Sequence, residues 1–226
     1  LAELGAIAVP FTMVDSTFAT PMSQQPLSHG VNLSLHSATK EIGGHNDALL
    51  GVVAGEKDLI DAIWAYSVLH GASASPYDAH NALRGIRTLP VRHERQCATA
   101  MQLATWCELS GNCTTVYYPG LASHPQHELA TRQMSSFGSV FAIDNPGGID
   151  ACRTFISALQ LVRPATSLGG PETLICHPAT STHFGLDEES LTGALASDGL
   201  MRISIGLEHV DDLRNDLAAA FAASRS

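Results

Sequence analysis

The residues best suited to chemistry are Ser37, Thr39 and Lys40 in the run Ser37-Ala38-Thr39-Lys40, which brings two hydroxyls and an amine together. They follow an apolar segment, residues 31–35, that reads as a buried strand. That places them at the rim of a sheet, where α/β proteins bind ligands. Two chemistries fit. A serine with a lysine three residues on is the S-x-x-K pair of acyl-transfer enzymes, in which the amine acts as base for Ser37. Its companions are missing, since no SDN-like or KTG-like motif is present and Gly43 and Gly44 stop the required helix early. In the second chemistry Lys40 forms a Schiff base with pyridoxal phosphate, while Ser37 and Thr39 donate hydroxyl hydrogen bonds to the phosphate. Asp15, after the apolar residues 7–14, supplies a carboxylate of the kind that the cofactor's pyridine nitrogen needs. An aspartate after a strand also serves as a plain turn residue.

These groups need a scaffold, and the apolar pattern supplies one. Residues 7–14 read as a strand buried on both faces of a parallel sheet, with Pro10 as the misfit, and residues 31–35 and 48–54 are two further short apolar runs. Between the second and third lies the glycine-rich Gly43-Gly44-His45-Asn46-Asp47. Residues 56–69 carry Leu59, Ile60, Ile63 and Trp64 at helical spacing. Pro90 opens a helix over 90–110, stopped by Gly111-Asn112, which reads as a bridge between domains. Beyond it, strands at 114–118, 138–143 and 201–205 alternate with helices at 124–134, 149–159 and 210–223. The expected organisation is α/β, with residues 1–90 in a large sheet domain and residues 91–226 in a smaller C-terminal α/β domain. Residues 1–6 read as the tail of a helix ended by Gly5, so the chain is expected to begin within a fold.

Composition narrows the partners. The 226 residues carry 12 Lys and Arg against 22 Asp and Glu, a formal charge of −10, which opposes the electrostatics of nucleic-acid binding. Five cysteines without a C-x-x-C pair argue against a disulfide framework or thiolate metal site and suit a reducing cytosol. No apolar run reaches the roughly 18 residues of a membrane span, and no signal peptide is read at the start. A soluble cytoplasmic protein is expected. His124 and His127 lie three apart but lack a third ligand, so no metal site is expected, and Ser123 reads as a helix N-cap.

Several motifs in order resemble the pyridoxal-phosphate enzymes of cysteine and methionine metabolism, the family of cystathionine γ-synthase, cystathionine γ-lyase, cystathionine β-lyase and methionine γ-lyase. The resemblance runs from residue 14 to about residue 217. It is carried by Val14-Asp-Ser-Thr-Phe-Ala-Thr-Pro21, His36-Ser-Ala-Thr-Lys40, Gly43-Gly-His-Asn-Asp47, Arg84-Gly-Ile-Arg-Thr-Leu-Pro90 and Tyr117-Tyr-Pro-Gly-Leu121. Ser123-His-Pro-Gln-His-Glu128, Ser167-Leu-Gly-Gly170, Glu172-Thr-Leu174, His177-Pro-Ala179 and Arg202-Ile-Ser-Ile-Gly206 complete it.

The resemblance implies a fold-type I transferase in which Lys40 is the cofactor lysine, Asp15 the pyridine partner, and Ser37 and Thr39 phosphate ligands. It implies Arg202 as the clamp on the substrate α-carboxylate, a task that suits its planar fork of donors. Ser167 and Glu172 would line the substrate site. The Gly-Gly-x-Glu arrangement at Glu172 favours γ-elimination or γ-replacement on a sulfur-containing or O-acylated amino acid, with β-lyase chemistry as the alternative. A dimer or tetramer is implied as well. Family members also have an N-terminal portion with no counterpart here, which supplies a phosphate-binding helix N-terminus and groups reaching a neighbouring subunit. A catalytically incompetent fragment or assembly domain is the reading from a different class.

Overall fold

The computed structural model describes Leu1, residues 11–185 and residues 197–225. Residues 2–6 of the expected helix tail and residues 7–10, half of the expected strand at 7–14, lie outside the described residues. The chain divides into two compact units, Leu1–His93 with Thr131–Gly138, and Glu94–Ala130 with Ser139–Ser226.

The first unit holds a three-stranded sheet in the order β1 (Met13–Asp15), β2 (Leu33–Ser37), β3 (Gly51–Gly55). β1 and β2 are parallel, with Asp15 opposite Leu35. β3 runs antiparallel to β2, pairing Gly51 with Ser37, so this part of the expected parallel-sheet domain is mixed. Residues 38–50 contain no helix to carry the chain back over the sheet, so the third strand returns in the opposite sense. β2 also lies two residues further on than the apolar run suggested, and Ser37 is its last residue. β1 is not buried on both faces, since Met13 and Asp15 are exposed.

Helix α1 (Thr20–Ser23) follows β1, and α2 (Lys57–His70) follows β3. No residue of α2 is fully buried, despite its apolar spacing. Helix α3 (Pro76–Ile86) has no counterpart in the sequence reading, although Ser75 caps it by accepting from the Asp78 N–H at 3.0 Å and Pro76 stands in its first turn. Ala38, Ile42 and Leu89 form a small core beside Lys40, with Leu50 packed against it.

Helix α4 (Leu89–Ser110) begins in the first unit and continues in the second. The second unit holds a five-stranded sheet in the order β4 (Thr115–Tyr117), β5 (Val140–Asp144), β8 (Leu200–Ser204), β7 (Leu174–Cys176), β6 (Arg163–Pro164), antiparallel except for β6 with β7. Helices α5 (His127–Gln133), α6 (Gly148–Ala158) and α7 (Val210–Ala223) complete the described α-helices, and 3-10 turns lie at Pro26–His29 and Pro178–Thr180. Ile143, Ile175, Met201 and Ile203 fill the sheet side of the core, and Phe155 of α6 meets Phe221 of α7 edge-on at 4.8 Å. The Asp216 carboxylate accepts from the N–H groups of Gln160, Leu161 and Val162, which fastens α7 to the turn before β6. Ser123 is not an N-cap: α5 starts at His127, and the Ser123 hydroxyl donates to Glu108. Among the described residues no helix is long and apolar enough to cross a membrane.

Candidate active site

Because β1 and β2 are parallel, their carboxyl ends lie on one edge of the sheet, and Asp15 and Ser37 are the last residues of the two strands. Thr17 ties them together. Its backbone N–H and its hydroxyl both donate to Asp15 Oδ1, at 2.9 and 2.6 Å, and its Oγ1 accepts the Ser37 N–H at 2.8 Å. The carboxylate is thereby fixed in orientation through one oxygen, while Oδ2 accepts no hydrogen bond among the described residues. Thr17 lies in the quoted motif but was not singled out. The signal available was an Asp-x-Thr turn, in which a hydroxyl two residues on reaches back to the carboxylate.

Lys40 lies one turn beyond Ser37, with its N–H donating to the Ser37 carbonyl at 3.1 Å and its own carbonyl accepting from Gly44 at 2.7 Å. Gly44 has a φ of +66°, and a Cβ there would overlap the Arg92 guanidinium, so the glycine serves both conformation and close approach. Ser37 Oγ makes no hydrogen bond among the described residues. Thr39 is differently placed from Ser37: its Oγ1 accepts the Leu50 N–H at 3.0 Å, with the Leu50 carbonyl at 3.4 Å. It closes the β2–β3 connection. His36, buried in β2, has its pKa lowered, by burial first, with Asp15 and the Ser16 backbone acting against that shift.

The second unit carries the other expected site residues. Arg202 sits in the middle of β8, opposite Ala142 and Cys176. Its Nη2 donates to the carbonyls of Thr166 at 2.6 Å and Ser167 at 3.1 Å, while Nε is buried with no hydrogen-bond partner among the described residues. Ser167 is thus in contact with Arg202 through its main chain. Glu172 is exposed at the far end of the same loop, just before β7. That loop is pinned from three directions: Ser204 Oγ accepts the Gly169 N–H, Gln96 Nε2 donates to the Gly170 carbonyl at 3.0 Å, and Glu208 accepts the N–H and hydroxyl of Thr173, each at 2.7 Å. Gln96 and Glu208 were not read from the sequence, because their partners lie dozens of positions away. His124 and His127 face local backbone groups, with His127 Nδ1 against the Pro119 carbonyl.

Fold and site define a class: an α/β protein with a lysine one turn past a sheet edge, a carboxylate on the neighbouring strand end, and an anchored arginine in a second α/β unit. The comparisons agree with it. The profile described as "Cys/Met metabolism PLP-dependent enzyme" matches residues 4–222, and the chain belongs to that family. It is 42% identical to O-succinylhomoserine sulfhydrylase of Pseudomonas aeruginosa, over 99% of the chain and 55% of that protein. It is 40% identical to cystathionine β-lyase of Coxiella burnetii, over 97% of the chain and 57% of the relative. Among solved structures it is similar to cystathionine γ-synthase from Xanthomonas oryzae pv. oryzae, with a TM-score of 0.92 and 40% identity over 95% of this chain and 56% of that one. The chain spans about half the length of the curated relatives it matches.

Proposed function

We propose that this chain forms the lysine-bearing part of a pyridoxal-phosphate enzyme acting at Cγ of a sulfur-containing or O-acylated amino acid, by elimination or replacement. One observation carries the reading: Asp15 and Ser37, whose Oδ2 and hydroxyl are unengaged among the described residues, and Lys40 all belong to one edge of the β1–β2 pair. Such a donor, acceptor and amine set fits the phosphate, pyridine nitrogen and aldehyde of the cofactor. When bound, the cofactor supplies an electron sink for negative charge developing at Cα.

The chain's own residues do the rest. Lys40 would hold the cofactor through Nζ, and the same Nζ, when free, would move protons between substrate carbons as base and acid. Asp15 partners the ring nitrogen, with Thr17 holding its orientation. Ser37 donates to phosphate, and the Thr39 hydroxyl joins it by giving up its long contact with Leu50. Arg202 receives the α-carboxylate, using a guanidinium already anchored through Nη2 on the Thr166 and Ser167 carbonyls, with Nε left to donate. Glu172 and Ser167 line the substrate side, and Glu172 in the Gly-Gly-x-Glu arrangement favours chemistry at Cγ. A homo-oligomer and a small amino-acid substrate complete the proposal.

β-Elimination is the second reading, favoured by the similarity to a cystathionine β-lyase. The products separate the two. With the full-length protein and an O-acylated homoserine, γ-elimination releases the acylate, ammonia and a four-carbon 2-oxo acid, and γ-replacement with an added thiol releases the acylate and leaves the corresponding thioether amino acid. Release of a three-carbon 2-oxo acid from cystathionine, with no turnover of the homoserine ester, contradicts the γ assignment.

A further inference from the structure

The residue after Lys40 is a buried acid. Glu41 is 1% exposed, and its Oε2 lies 3.6 Å from Nδ1 of His93, itself 2% exposed in the first turns of α4. On the opposite side of the ring, Nε2 of His93 meets Ser23 Oγ at 2.6 Å, and Ser23 meets Ser136 Oγ at 2.5 Å. Ser23 ends α1, the helix that follows the Asp15 turn. A buried chain of polar groups therefore runs from the residue beside the lysine to the segment that leaves Asp15, entirely within the first unit.

The neighbouring residue Arg92 fixes the same turn through its main chain. Nη1 donates to the Glu41 carbonyl at 3.0 Å, and Nη2 to the carbonyls of Ile42 at 3.4 Å and Gly85 at 2.9 Å. Nε donates to Thr88 Oγ1 at 3.0 Å. Burial lowers the Arg92 pKa, and the Glu41 carboxylate opposes that shift. Backbone and side chain at position 41 are thus held by consecutive residues of one helix.

Burying a carboxylate beside an imidazole is expensive, and apolar side chains of similar volume would fill the space at least as stably. Stability alone does not account for the pair. A buried polar network, by contrast, tolerates few arrangements and so fixes geometry, although Glu41 Oε2 and His93 Nδ1 meet here at ion-pair distance and not through a hydrogen bond.

We propose that Glu41 and His93 are positioning residues for Lys40, holding the turn from which its amine reaches the cofactor. This rests on the assignment of Lys40 as the cofactor lysine. Displacing a reacting group by ~1 Å costs on the order of 10²-fold in rate.

The test uses the full-length protein with Glu41→Gln, His93→Gln and the double replacement Glu41→Met with His93→Leu. Four quantities are measured: thermal midpoint, the dissociation constant for pyridoxal phosphate, the visible absorption band of the loaded protein, and kcat with KM. The double variant is expected to match or exceed the wild-type midpoint while keeping a kcat reduced by about ten- to a hundredfold, an unchanged KM, a weakened cofactor constant and a shifted band. A double variant equal to wild type in band, cofactor constant and kcat overturns the proposal. One that does not fold makes the pair a requirement of the fold and also overturns it. Borohydride labelling of the wild type separates this from the underlying assignment: no label on Lys40 removes the cofactor reading itself, whereas a labelled wild type beside an unimpaired double variant removes only the positioning role.

Discussion

Thr17→Val is the sharpest perturbation of the sheet edge, because valine keeps the shape and the backbone N–H bond to Asp15 while deleting Oγ1. Two hydrogen bonds are lost, the 2.6 Å donation to the Asp15 carboxylate and the 2.8 Å acceptance from the Ser37 N–H. A bond to a charged group contributes roughly 1.5–3 kcal/mol, and a buried N–H left without an acceptor costs roughly 1–3 kcal/mol. Asp15 is exposed and Ser37 half-buried, so water replaces part of both. The expected net loss is therefore about 2.5–4 kcal/mol, the lower half of the summed range. Thr17→Ser keeps the hydroxyl and removes one methyl, about 0.8 kcal/mol. Urea unfolding of the full-length apoprotein reads both variants, and titration with pyridoxal phosphate shows whether the loosened carboxylate weakens cofactor binding. A valine variant within about 0.5 kcal/mol of wild type, a typical surface-substitution effect, or no difference between valine and serine, refutes the bridging role.

Lys40→Ala should lower turnover by several orders of magnitude in the full-length protein, because the attaching amine and the proton carrier are one group; steady-state assays check this. Asp15→Asn, nearly isosteric, should leave the unfolding midpoint close to wild type and cut kcat severely. Arg202→Ala should retain the cofactor's visible absorbance but raise KM, with a loss of roughly 2–5 kcal/mol, typical of removing one partner of a buried charge pair. His36 gives a pH signature. Its folded pKa is lowered, so below its ordinary value of 6.5 the unfolded chain binds a proton that the folded chain does not. Stability from this group is present above that pH and falls as pH drops toward the folded value, and His36→Asn should flatten that limb in unfolding measured between pH 7 and pH 5.

The grouping of candidate side chains in the first unit was legible because it is local. Ser37, Thr39 and Lys40 share one short run, and Asp15 ends a neighbouring apolar segment. Strand direction was not legible: residues 48–54 are as apolar as a parallel strand, and only the helix-free connection over 38–50 decides the antiparallel return. Helix α7 matched residue for residue, since His209 caps it and Leu213, Leu217, Ala220 and Phe221 form a buried stripe. Helix α3 was missed although Ser75, Pro76 and Asp78 mark its start, and β7 was missed because Leu174, Ile175 and Cys176 are too short a run to stand out. The Glu41–His93 contact spans more than fifty positions, and no periodic pattern encodes such a pairing. The Arg202 anchors, Thr166 and Ser167, are main-chain carbonyls, which residue types do not reveal.

The central claim is that Lys40 is the cofactor lysine, and reductive trapping tests it directly. The full-length protein is purified with its cofactor, reduced with borohydride, digested and mapped by mass spectrometry. The expected result is loss of visible absorbance with the pyridoxyl mass on the peptide containing Lys40, and not on Lys57, the other lysine in the chain. A label on Lys57, or a protein that binds pyridoxal phosphate without any reducible attachment to Lys40, contradicts the assignment.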